Sequence, residues 1–256
     1  SITDPAQSGW AMSSALVGCI FGALISGWCA DKFGRKMPLI LSAILFSASA
    51  WGTAVASNFD MFIVYRIVGG VGIGLASALS PLYIAEVSPA EKRGRFVAVN
   101  QLTIVIGVLA AQLINLMIAE PVATGATQQA IVESWNGQTG WRWMFGAELV
   151  PAVIFLVLMF FVPESPRWLL RKGRVKECEA MMIKLFGEPV VFDEEAPQET
   201  RFLQLFNRRH FPFVLFVAAI WTCQVIPMFA IYTFGPQIVG LLGLGAGKSA
   251  ALGNVV

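Results

Sequence analysis

Three short charged signatures each close a long apolar run: GWCADKFGRK at residues 27–36, AEVSPAEKRGR at 85–95 and PESPRWLLRKGR at 163–174. About 20 apolar residues in helical form cross the ~30 Å hydrocarbon core of a bilayer. In that solvent the backbone must satisfy its own hydrogen bonds, and a run of this length does so as a helix. The pattern restricts the chain to an all-α polytopic membrane protein with its charge gathered on one side.

Composition agrees: 56% of the residues are hydrophobic and 13% charged, where a soluble domain carries about 25% charged residues. A net charge of +2 gives no field for nucleic acid, which is excluded as a partner. Nearly all Lys and Arg fall within 31–36, 86–95 and 164–209, and none within 52–60 or 118–140. By the positive-inside rule the three signatures are cytoplasmic. Cys19, Cys29, Cys178 and Cys223 share no metal-ligand spacing and are expected as free thiols. The single histidine, His210, supports neither a triad nor a zinc site, so an enzyme is not expected, nor a metal or cofactor. The chain opens on Ser1 without a signal-peptide pattern and ends in weakly polar sequence, and both ends read as cut.

Spans are expected at about 9–30, 37–59, 61–85, 96–119, 141–162 and 213–235. Gly18, Gly22 and Ser26 recur at four-residue spacing in the first, a small-residue face for close helix contact or simply scattered small residues. Residues 120–140 are polar and suit an outside loop, after which Trp141 and Trp143 read as interface anchors. Residues 164–210 form a cytoplasmic linker, helical in spacing over 167–185 and broken by DEEAP at 193–197. The 37 uncharged residues from 211 to 247 exceed one span.

Residues 27–36 resemble the loop signature of the major facilitator superfamily. YRIVGG at 65–70, SPLYIAE at 80–86, RG at 93–94 and PESPR at 163–167 are similar to motifs of its sugar porter branch. Over 8–187 the likeness runs to bacterial proton–xylose symporters, and around 222–232 to uncharacterised metabolite porters. The resemblance implies a partial major facilitator fold whose six helices correspond to family spans two to seven. Residues 1–163 would form an incomplete N-terminal half, 164–210 a linker and 211–256 the start of the C-terminal half. It implies alternating access at a site between two halves in a cell (plasma or inner) membrane. A sugar or small polar metabolite would be carried with a proton, and the partners would be the bilayer and the remaining helices of a full-length transporter. An organic-acid porter and an inactive truncated piece are the alternatives.

The resemblance also assigns residues. Asp31, Arg35, Glu86, Arg93, Glu164 and Arg167 match a cytoplasmic gating charge network, the alternative being solvated loop charges. Exposed pairs are worth about 0–1 kcal/mol each, modest enough to break in every cycle. Gln101 matches a sugar-binding glutamine, and Gln224 keeps the second of a glutamine pair whose first is Cys223 here. Phe229 stands where the family carries Asn. Arg66 matches a proton-coupling arginine. Read from the residues alone, an Arg inside an apolar span costs about 2.5–3.5 kcal/mol on insertion scales, so it needs a carboxylate or a wet cavity. Glu148 lies at comparable depth and is expected to approach it, with snorkelling of Arg66 to the outer interface as the alternative.

Overall fold

The computed structural model describes residues 5–89, 91–120 and 128–186, together with 211, 212, 214–216, 218, 219, 222 and 223. The chain divides into two compact units, one of Ser1–Glu120 with Gln128–Val191, the other of Pro121–Thr127 with Phe192–Val256. The described residues of the second unit are helical, and Thr222 Oγ1 donates to the Ala218 carbonyl there (2.7 Å). Most of the expected 213–235 span, with Gln224 and Phe229, lies outside the described residues.

The first unit is a helical bundle. Its elements are α1 (Pro5–Phe33), α2 (Lys36–Val55), α3 (Phe59–Val87), α4 (Arg93–Ile118), α5 (Gln128–Glu133), α6 (Trp141–Ala147), α7 (Leu149–Phe161), α8 (Pro166–Arg171) and α9 (Val175–Phe186), with a π-helical turn over Asn136–Gly140. Among the described residues five stretches are long and apolar enough to cross a membrane: Gly9–Phe33, Lys36–Val55, Phe59–Val87, Arg93–Ile118 and Asn136–Phe161. Each overlaps an expected span and begins or ends a few residues away from it. The chain is thus an all-α, multi-pass membrane protein.

Hydroxyls on these helices turn back onto the backbone, which satisfies them where water is absent. Ser14, Ser26 and Ser42 donate to carbonyls three residues earlier, those of Ala11, Ala23 and Leu39. Helix α3 starts where Asn58 Oδ1 accepts the Met61 N–H (2.9 Å), a side-chain cap. The core of the bundle joins Ala30, Leu39, Ile40, Leu79 and Met159, flanked by Tyr83 and Phe155.

Helix α3 packs most closely on α1. A Cβ on Gly18 would strike the Ile67 carbonyl oxygen, one on Gly22 that of Val71, one on Gly70 that of Ala15 and one on Gly74 that of Cys19. Hydrogen is the only substituent that fits between these backbones. The small-residue face expected on α1 is therefore a contact surface, and it meets a matching glycine pair on α3.

The fifth span is interrupted. Pro151 has no N–H, so the carbonyl of Ala147 loses its helical donor, and α6 gives way to α7 at Glu148. The linker departs from the continuous helix expected over 167–185. Gly173, at φ +71°, reverses the chain between α8 and α9 in a conformation that disfavours any other residue. Cys178 then packs back on α8, buried, with its Sγ 3.6 Å from the Pro166 carbonyl. Burial pushes this thiol above its ordinary range.

Candidate functional site

The three charged signatures meet at one end of the bundle. Arg35, in the α1–α2 turn, donates from Nε to Glu86 Oε2 (2.8 Å) and from Nη2 to Glu86 Oε1 (2.7 Å). This two-point fork matches guanidinium to carboxylate geometry. A third donor, Nη1, reaches the Ala30 carbonyl (2.9 Å) at the end of α1. Ser165 completes the set by donating Oγ–H to Glu86 Oε2 (2.5 Å), and the same Oγ accepts the Trp168 N–H to cap α8. Arg35 and Glu86 side chains are 5% and 7% exposed, so the figure appropriate to surface pairs does not apply to them. Asp31 stands at the rim, 3.9 Å from Arg35 and 3.7 Å from Arg171.

Glu164 belongs to this cluster in a different role. Its carboxylate accepts the backbone N–H groups of Arg35 (2.8 Å), Lys36 (3.1 Å) and Ser165 (2.8 Å). Two of these are unpaired donors at the start of α2, where a negative charge is favoured by the helix dipole. Gly34 is left-handed at φ +87°, and a Cβ there would run into the Glu164 carboxylate. Glu164→Gln is expected to lower stability by about 1 kcal/mol, and Gly34→Ala by more. Thermal unfolding of the detergent-solubilised variants checks both, and the reverse order would contradict the cap.

Arg93 and Arg167 do not join. Arg167 is exposed, Arg93 half-buried with an Nε that lacks a hydrogen-bond partner, and neither forms an ion pair among the described residues. The expected network of six therefore resolves into a closed group of Asp31, Arg35, Glu86 and Glu164 and two cations outside it. Ser165 was not anticipated as a member, although Ser before Pro at a helix start is a recognisable cap signal.

Deeper in the bundle is a cavity of about 320 Å³ lined by Arg66, Glu148, Ser49, Phe46, Pro151 and Phe155, among others. Arg66 and Glu148 share it, as their depth suggested, but they form no ion pair within 4 Å. The Arg66 guanidinium instead stands 5.5 Å from the centre of the Phe145 ring, which supplies part of what desolvation removes. Its Nε is buried without a hydrogen-bond partner. Phe145 is held by edge contacts with Phe62 and Trp141. Ser49 Oγ is occupied by the Tyr65 carbonyl (2.8 Å). Phe145 and Pro151 carried no polar signal in the sequence, and only packing reveals their place beside the charges.

Gln101 lies on α4 and is exposed, on a helix that buries no residue within this unit. Nothing polar in the cavity touches it, and the structure does not bring it to Arg66 or Glu148. All four cysteines are free thiols.

Comparison with known proteins places this architecture. The sequence matches the family model described as sugar (and other) transporter over residues 2–256. It is 50% identical over 246 residues to YaaU of Escherichia coli (strain K12), a protein whose name assigns it to metabolite transport, covering 95% of this chain and 52% of that one. It is 38% identical over 211 residues to the D-xylose–proton symporter of the same organism, covering 75% and 41%. A double-tryptophan variant of XylE superposes with a TM-score of 0.70 at 30% identity, over 96% of this chain and 55% of that structure. A partially occluded, inward-open form of XylE superposes with a TM-score of 0.64 at 31% identity, over 98% and 56%. The chain spans about half the length of the curated relatives it matches. It belongs to the sugar (and other) transporter family within the major facilitator superfamily, a family of transporters and not of enzymes.

Proposed function

We propose that this chain is part of a secondary active transporter that moves a sugar or similar small polar metabolite by alternating access, coupled to protons, in a cell (plasma or inner) membrane. The observation that carries the reading is the cavity of an apolar bundle that a half-buried arginine, with its Nε buried, shares with a carboxylate. A membrane protein retains such a group where an ion or proton is to be handled. Arg66 and Glu148 form the proton-coupling pair. Gln101 and Gln224 contact substrate through neutral amides, which offer donors and acceptors to hydroxyls without the cost of a buried charge. The Arg35–Glu86 group steadies the cytoplasmic end, while Arg93 and Arg167 remain available to partners on the rest of the transporter.

In the whole transporter, Arg66→Leu is expected to abolish proton-driven accumulation while sparing exchange of substrate down its own gradient. Uptake into vesicles with and without an inward proton gradient measures this, and unchanged accumulation would end the coupling role.

A second reading favours a metabolite other than a sugar. It is supported by the 50% identity to YaaU, against 38% to the xylose symporter, and by Cys223 and Phe229 at positions where sugar porters carry amides. Uptake of labelled xylose, glucose and a small organic acid separates the two.

A further inference from the structure

Two lysines at the charged end of the bundle stand outside its ion pairs. Lys32 Nζ lies 4.8 Å from the centre of the Trp28 ring and 5.2 Å from that of Phe33. The two rings meet edge to face at 5.9 Å. Lys172 Nζ lies 5.8 Å from the Trp168 ring, which Arg174 shares at 5.9 Å. The two groups adjoin through the backbone: Trp168 Nε1 donates to the carbonyl oxygen of Asp31 (3.2 Å), the residue before Lys32.

The acids nearby are engaged. Asp31 faces Arg35 and Arg171, and Glu177 is held by Arg174 through two hydrogen bonds (2.8 and 2.6 Å). Lys32 and Lys172 are exposed and form no ion pair among the described residues. Trp28 is 61% and Phe33 47% exposed, in the last turns of a helix long enough to cross the bilayer.

Tryptophan settles at the level of lipid headgroups, and an ammonium resting on its face is held at that depth. On the cytoplasmic side, positive charge at this depth attracts the phosphates of anionic lipids. We propose that Trp28–Lys32 and Trp168–Lys172 form a seat for the headgroup of an anionic phospholipid, which ties the end of α1 to the linker helix α8. A lipid suits the seat better than free phosphate, because the exposed Trp28 and Phe33 rings supply an apolar flank for acyl chain.

The test is native mass spectrometry of the protein in neutral detergent, titrated with phosphatidylglycerol, phosphatidylcholine or inorganic phosphate. Phosphatidylglycerol is expected to bind preferentially. The double variant Lys32→Gln/Lys172→Gln should lose about thirtyfold in that affinity and leave phosphatidylcholine adducts unchanged. Lys176→Gln, an exposed lysine on α9, should bind as the parent does. Equal affinity for the two lipids, or full phosphatidylglycerol binding by the double variant, would overturn the seat. Displacement of the lipid by inorganic phosphate would overturn the choice of lipid. Both lysines are exposed, so an unchanged melting temperature in the double variant keeps a loss of binding from being a loss of fold.

Discussion

Gly74→Leu is expected to leave little folded protein. A Cβ at this position meets the Cys19 carbonyl oxygen, with the Ala23 nitrogen at 2.6 Å and the Gly22 Cα at 2.9 Å. These are main-chain atoms of a helix, which cannot rotate aside as a side chain would. The only relief is to move α1 away from α3, and that loosens the Gly18, Gly22 and Gly70 contacts along the same seam. Overpacking of a well-fitted interior costs about 1–3 kcal/mol and sometimes more, and here it falls on the closest helix pair in the unit. Destabilisation of about 3 kcal/mol or more is expected, seen as loss of monodisperse protein in detergent and a lower melting temperature. Gly27→Leu and Gly107→Leu are the controls, since a Cβ at either meets nothing within 4 Å. Both should fold as well as the parent or slightly better, because glycine is a poor helix residue. Equal damage at Gly27 and Gly74 would show that the seam is not what matters.

Arg35→Met should cost about 3–5 kcal/mol, the range for breaking a buried ion pair by removing one partner. Glu86 would keep only the Ser165 hydroxyl, and the Ala30 carbonyl would lose its side-chain donor. Arg35→Met/Glu86→Met is expected to recover much of that loss, because no uncompensated charge remains. The double-mutant cycle, read by unfolding at several pH values, gives the coupling directly. A single-variant effect below about 1 kcal/mol would mean that the pair behaves as a solvated surface pair. It would return Arg35 and Glu86 to the class of weak, solvated contacts expected from the sequence.

These two predictions show how unevenly the sequence could be read. The GxxxG-like spacing of Gly18 and Gly22 was visible, but so was an indifferent scatter of small residues. Its partner, the register of Gly70 and Gly74 on α3, depends on how far one helix slides past another. The charges at 31–36, 86 and 164 were legible as one group, and the structure brings them to one end of the bundle. Their separation into a buried fork and a helix cap, with Arg93 and Arg167 unjoined, was not legible, because it turns on where the α1–α2 turn meets α8. Arg66 and Glu148 were legible as neighbours by depth, since charge within an apolar span is rare. That Phe145 stands by the guanidinium instead of the carboxylate required the packing of α6 against α3.

By itself the sequence determined the class of fold, five runs among the described residues long and apolar enough to cross a membrane, the clustering of the charged signatures and the residues out of place in lipid. Each of these follows from one-dimensional accounting: hydrocarbon thickness sets the length of a run, and the cost of charge in it marks the exceptions. Only the tertiary structure decided which glycines touch and which carboxylate caps and which pairs. It also decided that Arg66 and Glu148 line one cavity without forming an ion pair. Those outcomes depend on distances of a few tenths of an ångström between helices far apart in the chain, and periodicity along a single helix does not contain them.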